Sequence, residues 1–219
     1  MYKRQIYYRT RSSTGEWSDI EVISGEGALQ PRIAVDPSGT VHVVWSAGAL
    51  WYTYKPPEGG WVTPREVVPF AIAGDNPCLT VDSDGNCHLV YEYSGEIYYV
   101  SGSPTGEWSE PVNVSQSQFT SWFGHVAVGE GGRIYVLWTE EDWGAGPQTS
   151  IIYYSVKTDT GWTAPDSIPG TRGVHGWPRG KNLFFKGNKK YLLWGDGWYE
   201  IYLGYTGGLL SSNRGLSDI

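Results

Sequence analysis

Charge is scarce in this chain: 18% of its 219 residues are Asp, Glu, Lys or Arg, with 16 basic against 23 acidic side chains. The net charge of -7 comes with no basic cluster, which argues against a nucleic-acid backbone or an anionic membrane surface as partner. No run approaches the roughly 18 apolar residues of a membrane span. Zinc-ligand spacing, a phosphate loop, an EF-hand pattern and a legible Ser-His-Asp set are all missing, so no metal and no cofactor is expected. There is one Met and only two Cys. Cys78 and Cys87 flank the turn Asp82-Ser83-Asp84-Gly85 and would miss each other by several residues in a hairpin folded there. A bridge needs Cα atoms within about 7 Å, so both read as small buried hydrophobes.

What is plentiful points one way. The chain carries Gly 30, Pro 13, Trp 12 and Tyr 16, residues that suit turns and strands and weaken helix interiors. With 40% hydrophobic residues it has enough apolar surface for a sizeable core, which excludes disorder. The composition is that of a soluble all-β protein.

An internal repeat gives the architecture. Pro31-Arg32-Ile33-Ala34-Val35-Asp36-Pro37-Ser38-Gly39-Thr40-Val41-His42-Val43-Val44-Trp45 returns as Pro77-Cys78-Leu79-Thr80-Val81-Asp82-Ser83-Asp84-Gly85-Asn86-Cys87-His88-Leu89-Val90-Tyr91. Looser copies run from Gly124 to Trp138 and from Leu183 to Trp194. A second motif alternates with the first: Ile6-Tyr7-Tyr8 then Trp17, Trp51-Tyr52 then Trp61, Ile97-Tyr98-Tyr99 then Trp108, Ile152-Tyr153-Tyr154 then Trp162. Each half-repeat reads as a β-hairpin, and two hairpins per period of roughly 45 residues make a four-stranded antiparallel sheet, the unit of a β-propeller. The predicted fold is therefore an all-β propeller of four-stranded antiparallel blades, about four and a quarter of them: a partial blade at 6–24, full blades at 31–68, 77–115 and 124–168, and a partial blade at 180–206. Residues 1–5 match the translation of a sequencing adapter read from GTG and are taken as a non-native leader, so the natural chain is expected to extend upstream. Residues 207–219 lack the blade pattern and are expected to be a mobile tail. Unpaired strand edges at both chain ends predict self-association.

Strand order separates two faces. On one lie the short Asp-Gly and Gly-Trp turns, read as structural, with Trp packing between blades; His42 and His88 share a repeat position with Tyr135 and Tyr191 and read as packing residues. The other face carries the long connections 115–124, 139–150 and 169–177 from neighbouring blades. Long loops concentrate function. These hold Trp122, Glu140, Glu141, Asp142, Trp143, Arg172, His175 and Trp177, with Arg179 following. Rings that stack on sugar C–H faces beside acids and Arg that bind hydroxyls or anions make a candidate glycan site. We assign Trp122, Glu141, Trp143, Arg172, Trp177 and Arg179 to binding. His125, at the start of an innermost strand, joins Glu140, Asp142 and His175 as candidates for acid–base chemistry.

The pattern Pro-x-Ile-Ala-Val-Asp-x-x-Gly-x-Val-His-Val-Val-Trp at 31–45, with Ile-Tyr-Tyr at 97–99 and Gly-x-Trp-Ser-x-Pro at 106–111, resembles the repeats of the sialidase-like BNR or Asp-box propellers over roughly residues 6–206. Thr158-Asp159-Thr160-Gly161-Trp162 keeps the Asp, Gly and Trp of that box without the two residues between Gly and Trp. The resemblance implies the fold more than an activity. Sialidases of the superfamily use three arginines, a Tyr–Glu pair and an Asp, and none of these maps onto a matching motif here; other families with such repeats are polysaccharide lyases, lectins or scaffolds. The expected function is carbohydrate recognition by an extracellular bacterial protein, with a sialidase-like hydrolase or BNR-type lyase fragment as the alternative.

Overall fold

The computed structural model describes residues 4–69, 75–142, 149–169, 171, 182–186, 189–195, 201–205 and 208–209. A two-stranded antiparallel pair opens the chain, β1 (Tyr7–Tyr8) with β2 (Glu21–Val22). Sheet I follows as β3 (Leu29–Val35), β4 (Val41–Ser46), β5 (Leu50–Lys55) and β6 (Arg65–Val68). Sheet II is β7 (Asp75–Val81), β8 (Cys87–Tyr93), β9 (Glu96–Gly102) and β10 (Val112–Asn113). Sheet III holds β11 (Thr120–Val128), β12 (Ile134–Asp142) and β13 (Thr149–Thr158), and its fourth strand comes in two pieces, β14 (Gly161–Trp162) and β15 (Asp166–Ser167), both paired to β13. Sheet IV is β16 (Asn182–Lys186), β17 (Lys189–Gly195), β18 (Ile201–Tyr205) and β19 (Gly208–Leu209). Every sheet is a simple antiparallel meander. The last strand, β19, falls inside the stretch expected to be a patternless tail; its pairs Gly204↔Leu209 and Tyr205↔Gly208 are made by backbone groups, which leave no apolar signature in a sequence.

The first strands sit side by side, β3 by β7, β7 by β11 and β11 by β16, so the later strands of each sheet radiate outward and the core lies between sheets. Val44, Tyr52 and Val68 of sheet I meet Leu79, Leu89 and Tyr91 of sheet II. Val90, Ile97 and Tyr99 meet Val126, Val136 and Trp138 of sheet III. Second strands are thus covered on both faces, and β4 and β8 are buried almost throughout, as their near-continuous apolar sequences predict.

One contact recurs at the first three junctions; at the fourth, between sheets III and IV, Tyr135 packs on Phe185 instead. The Trp of each Gly-Trp turn packs edge-on against the third-strand Tyr of the preceding sheet: Trp61 on Tyr8 at 4.9 Å, Trp108 on Tyr52 at 5.3 Å, Trp162 on Tyr99 at 4.9 Å between ring centroids. Such pairs contribute about 0.5–1.5 kcal/mol beyond area burial. Trp17, the first of the series, has no preceding ring among the described residues and is 58% exposed, covered in part by the guanidinium of Arg9 at 4.9 Å.

The Asp turns are stitched to the same tyrosines. In the first, Asp36 Oδ1 accepts the Thr40 N–H at 2.9 Å and Gly39 takes φ 90, a left-handed conformation that glycine adopts without strain. His42 then lies 3.4 Å from Asp36 Oδ2 and 2.8 Å from the Tyr52 hydroxyl. His88 repeats this with Asp82 at 3.2 Å and Tyr99 at 2.7 Å. Both imidazoles are buried packing residues, and both also tie turn to strand. Sheet III replaces the set by Gly129 and Tyr135, where a Cβ on Gly129 would lie 2.7 Å from the Tyr135 ring. Cys78 and Cys87 are unbridged, and Cys87 Sγ sits 3.3 Å from His42 Nδ1.

Burial pushes the His42 and His88 pKa values below 6.5, against the opposing pull of Asp36 and Asp82. Folding therefore favours the neutral rings: their contribution is complete above pH 6.5 and is lost as pH falls below it. Melting midpoints should decline on acidification from that point, and His42→Gln with His88→Gln should flatten the decline; an unaltered pH profile would contradict the assignment. Truncation separates packed from unpacked rings. Trp138→Ala, at a fully buried ring, should cost about 3–5 kcal/mol, and Trp17→Ala no more than about 0.5 kcal/mol, measured by urea unfolding.

Candidate functional site

Near the end where the second-to-third turns lie, each of the first three inner strands carries a bulge. Register shifts occur between Leu29 and Arg32, between Asp75 and Cys78, and between Trp122 and His125. Inside each bulge one non-glycine residue is left-handed: Gln30 at φ 51, Asn76 at φ 52 and Phe123 at φ 54. That conformation is sparsely populated for such residues and persists only where the surroundings hold it. Here side chains of one sheet hold the bulge of the next. Gln30 Oε1 accepts the Asn76 N–H at 2.9 Å, Gln30 Nε2 donates to Asn76 Oδ1 at 3.2 Å, and Asn76 Nδ2 donates to Glu92 Oε2 at 3.0 Å. Glu92 Oε1 accepts the Phe123 N–H. This amide–carboxylate chain around the inner strands was not read from the sequence. Its one trace there is the repeat position of Gln30, Asn76 and Phe123, immediately before the Pro31, Pro77 and Gly124 that begin each unit.

The three acids expected on a solvated loop at 139–150 lie in a strand instead. β12 continues to Asp142 because it is paired on both sides, Glu140 with Ser121 and Ile151, Glu141 with Thr120 and Ser150. The 115–124 connection is likewise shorter than expected, since β11 begins at Thr120 and carries the half-buried Trp122 opposite Thr139. Strand pairing withdraws both acids from water. Glu140 is 7% exposed and accepts the Trp138 Nε1–H at 3.0 Å. Burial raises its pKa, hydrogen bonds from Trp138 and Ser117 oppose this, and the nearby Glu96 charge adds to it. Glu96 itself accepts the Ser117 N–H at 3.2 Å and the Ser115 hydroxyl.

Glu141 is 2% exposed, burial alone raises its pKa, and its Oε2 has no hydrogen-bond partner. Among the described residues the Thr139 hydroxyl on the same face is also unpartnered, as is the Ser121 hydroxyl on the opposite face, across from Glu140. A buried polar atom left unpaired costs about 1–3 kcal/mol, and cost of that kind collects where a protein binds something. Chemically, a carboxyl with a raised pKa on the same face as an unpartnered hydroxyl can hold a proton or exchange hydrogen bonds with a hydroxylated ligand.

His125 lies between inner strands, its Nδ1 3.4 Å from Cys78 Sγ and its Nε2 accepting the Leu183 N–H at 3.4 Å. Arg32 occupies the same repeat position in β3, exposed, with a bond to the Pro31 carbonyl at 3.0 Å. Asp142 ends β12 opposite Thr149. Trp143, Arg172, His175, Trp177 and Arg179 lie outside the described residues. Of the expected site, the structure brings Trp122, His125, Glu140 and Glu141 onto the β11–β12 pair.

No protein-family model matches the chain, and no curated protein sequence matches it. Solved structures do. A GH43_12 protein retrieved from a capybara gut metagenome aligns at a TM-score of 0.55 with 17% identity, over 83% of this chain and 40% of its own. The xylan beta-1,4-xylosidase of Bacillus halodurans C-125 gives 0.57 at 17% identity, over 83% and 40%. An ulvan lyase of polysaccharide lyase family PL25 gives 0.58 at 12% identity, over 86% and 55%. This chain spans 40–55% of the length of those three proteins. At such identities the likeness is one of fold: four-stranded antiparallel sheets in a propeller-type arrangement that carbohydrate-active enzymes share. The family-43 glycosidases and the lyase support a propeller-type carbohydrate-active fold and do not single out the sialidase-like family.

A carboxyl whose pKa folding raises stabilises the protein below its unfolded pKa of 4.5 and loses that contribution as pH climbs through the folded value. Glu141→Gln should therefore raise the melting midpoint at pH 7 and leave it unchanged at pH 4. A lower midpoint at pH 7 would show that the ionised group has found a partner.

Proposed function

We propose that this chain is a carbohydrate-recognition unit of propeller type that belongs to an extracellular protein and binds glycan at the end of the sheets bearing Trp122, Glu140 and Glu141. The observation that carries the reading is the pair of unpartnered polar atoms on one face of the β11–β12 pair, Glu141 Oε2 and Thr139 Oγ1, on the face that also bears Trp122. Sugar hydroxyls donate and accept, which suits a carboxyl and a hydroxyl together. Trp122 supplies a ring for the apolar sugar face, and we assign Trp143, Arg172, Trp177 and Arg179, which lie outside the described residues, to the same binding. Support also comes from the structures it resembles, whose names are those of enzymes acting on polysaccharides. No helix among the described residues is long and apolar enough to cross a membrane.

A second reading rests on Glu141 alone. A carboxyl whose pKa is raised by burial is what a glycosidic general acid requires, with Glu140, Asp142, His125 and His175 as the groups from which a base would come. On this reading the chain is part of a carbohydrate-active enzyme.

Binding and release of reducing ends on arabinan, xylan and ulvan separate the two. Trp143→Ala should weaken glycan binding at least about tenfold, the loss of roughly 1.4 kcal/mol, with an unchanged melting midpoint. If the chain cleaves glycan, Glu141→Gln should abolish cleavage and retain binding. A chain that neither binds nor cleaves any of them would overturn both readings.

A further inference from the structure

At the opposite end of the sheets, among the short turns, an open groove of about 720 Å³ runs between sheets II and III, lined by Asp82, His88 and Ser103 on one side and Arg133, Lys157 and Asp159 on the other. That volume lies within the roughly 300–1,000 Å³ of small-molecule sites. We infer that this groove binds an acidic sugar, with Lys157 and Arg133 taking its carboxylate and the surrounding hydroxyls and amides taking its hydroxyl groups.

The inference follows from register. Lys55 and Lys157 occupy one repeat position, each holding its ammonium over the Tyr of the preceding sheet, Lys55 at 5.5 Å from Tyr8 and Lys157 at 5.2 Å from Tyr99. Lys55 has a carboxylate as well: Glu21, opposite Tyr8 on the fourth strand, lies 2.8 Å from its Nζ. The residue opposite Tyr99 on the fourth strand of sheet II is Val112. Lys157 therefore keeps the ring and lacks the anion, and no carboxylate of the described residues pairs with it.

Arg133 has lost its acid in the same way. Its repeat equivalents Thr40 and Asn86 are held by Asp36 and Asp82, and the acid's position in sheet III is Gly129. Two cations are thus left over on one side of one groove. Asp82 pairs with neither: it accepts the N–H groups of Asp84 and Asn86, the Asn86 amide and His88. Asp159 is exposed at the tip of the β13–β14 turn. The groove is open because the Gly131–Gly132 turn places nothing within 4 Å of either missing Cβ. At the junction before it, a Cβ on Gly85 would lie 3.5 Å from Asp36 Oδ2, and Arg65 crosses to the carbonyls of Ser103, Pro104 and Gly106. A polar lining with Ile134 as its one aliphatic side chain suits a hydroxylated anion and not an apolar ligand.

Titration of the full chain with glucuronate at low ionic strength, followed by NMR, tests the site. Saturable binding that shifts the His88 ring signals and weakens with added salt is expected, with glucose binding at least about tenfold more weakly. Lys157→Met with Arg133→Met should lower glucuronate affinity by at least about tenfold and leave the melting midpoint unchanged. Val112→Glu, at an exposed position, returns a carboxylate to Lys157 and should block binding without loss of stability. Absence of saturable glucuronate binding, equal binding of glucose, or full affinity in either variant would overturn the inference. None of these outcomes bears on glycan binding at the other end, which Trp143→Ala reports separately.

Discussion

The edge-on packing of a turn Trp against the third-strand Tyr of the preceding sheet is the interaction on which the arrangement depends. It joins one repeat to the next at the first three junctions, from Trp61 on Tyr8 to Trp162 on Tyr99, while Tyr135 packs on Phe185 at the fourth. An antiparallel sheet of four strands has two apolar faces and cannot bury either alone. Each sheet in the series therefore needs a neighbour, and the Trp–Tyr contact sets the distance and rotation at which the neighbour sits. Tyr52 and Tyr99 also bond the His42 and His88 rings that tie in the Asp turns, and Tyr8 and Tyr99 lie under the Lys of the following unit. One side-chain position thus serves packing, turn geometry and charge placement, and a substitution in any of the three groups reaches the others.

Repetition also explains where function can appear. While every unit repeats its neighbour, each charged group has its partner and each turn fills its space. Divergence at single positions leaves surplus chemistry behind. Val112 in place of the carboxylate that Glu21 supplies leaves Lys157 unmatched, and Gly129 in place of Asp releases Arg133. At the other end, extension of β12 to Asp142 carries Glu140 and Glu141 into a buried pair of strands whose counterparts in the earlier sheets end in Ser46 and Tyr93. The two ends differ in kind: one offers cations beside an open groove, the other acids and unpartnered hydroxyls between strands.

Much of the fold was legible in the sequence because it is written in side chains that repeat. Alternating Ile33-Ala34-Val35, the Asp-x-x-Gly turns and the Gly-Trp turns are local signals, and a period that recurs places them in space without any three-dimensional information. The packing role of His42 and His88 and the unbridged state of Cys78 and Cys87 could be read from hairpin register. β19 could not, since its pairing with β18 is purely backbone.

The sequence by itself determined the strand count per unit and the Asp-Gly and Gly-Trp turns with the Trp that each Gly-Trp turn carries, since each depends on residues close together in the chain. The tertiary structure alone decided that Glu140 and Glu141 are buried strand residues rather than solvated loop residues, because burial depends on β11 and β13, whose pairing with β12 spans the hairpin on either side. It alone decided the chain of bonds from Gln30 through Asn76 and Glu92 to Phe123, where a side chain in one unit holds the backbone of another. Local pattern carries what a residue needs from its neighbours in sequence. What a charge or an amide finds across a junction between sheets is settled only when the sheets meet.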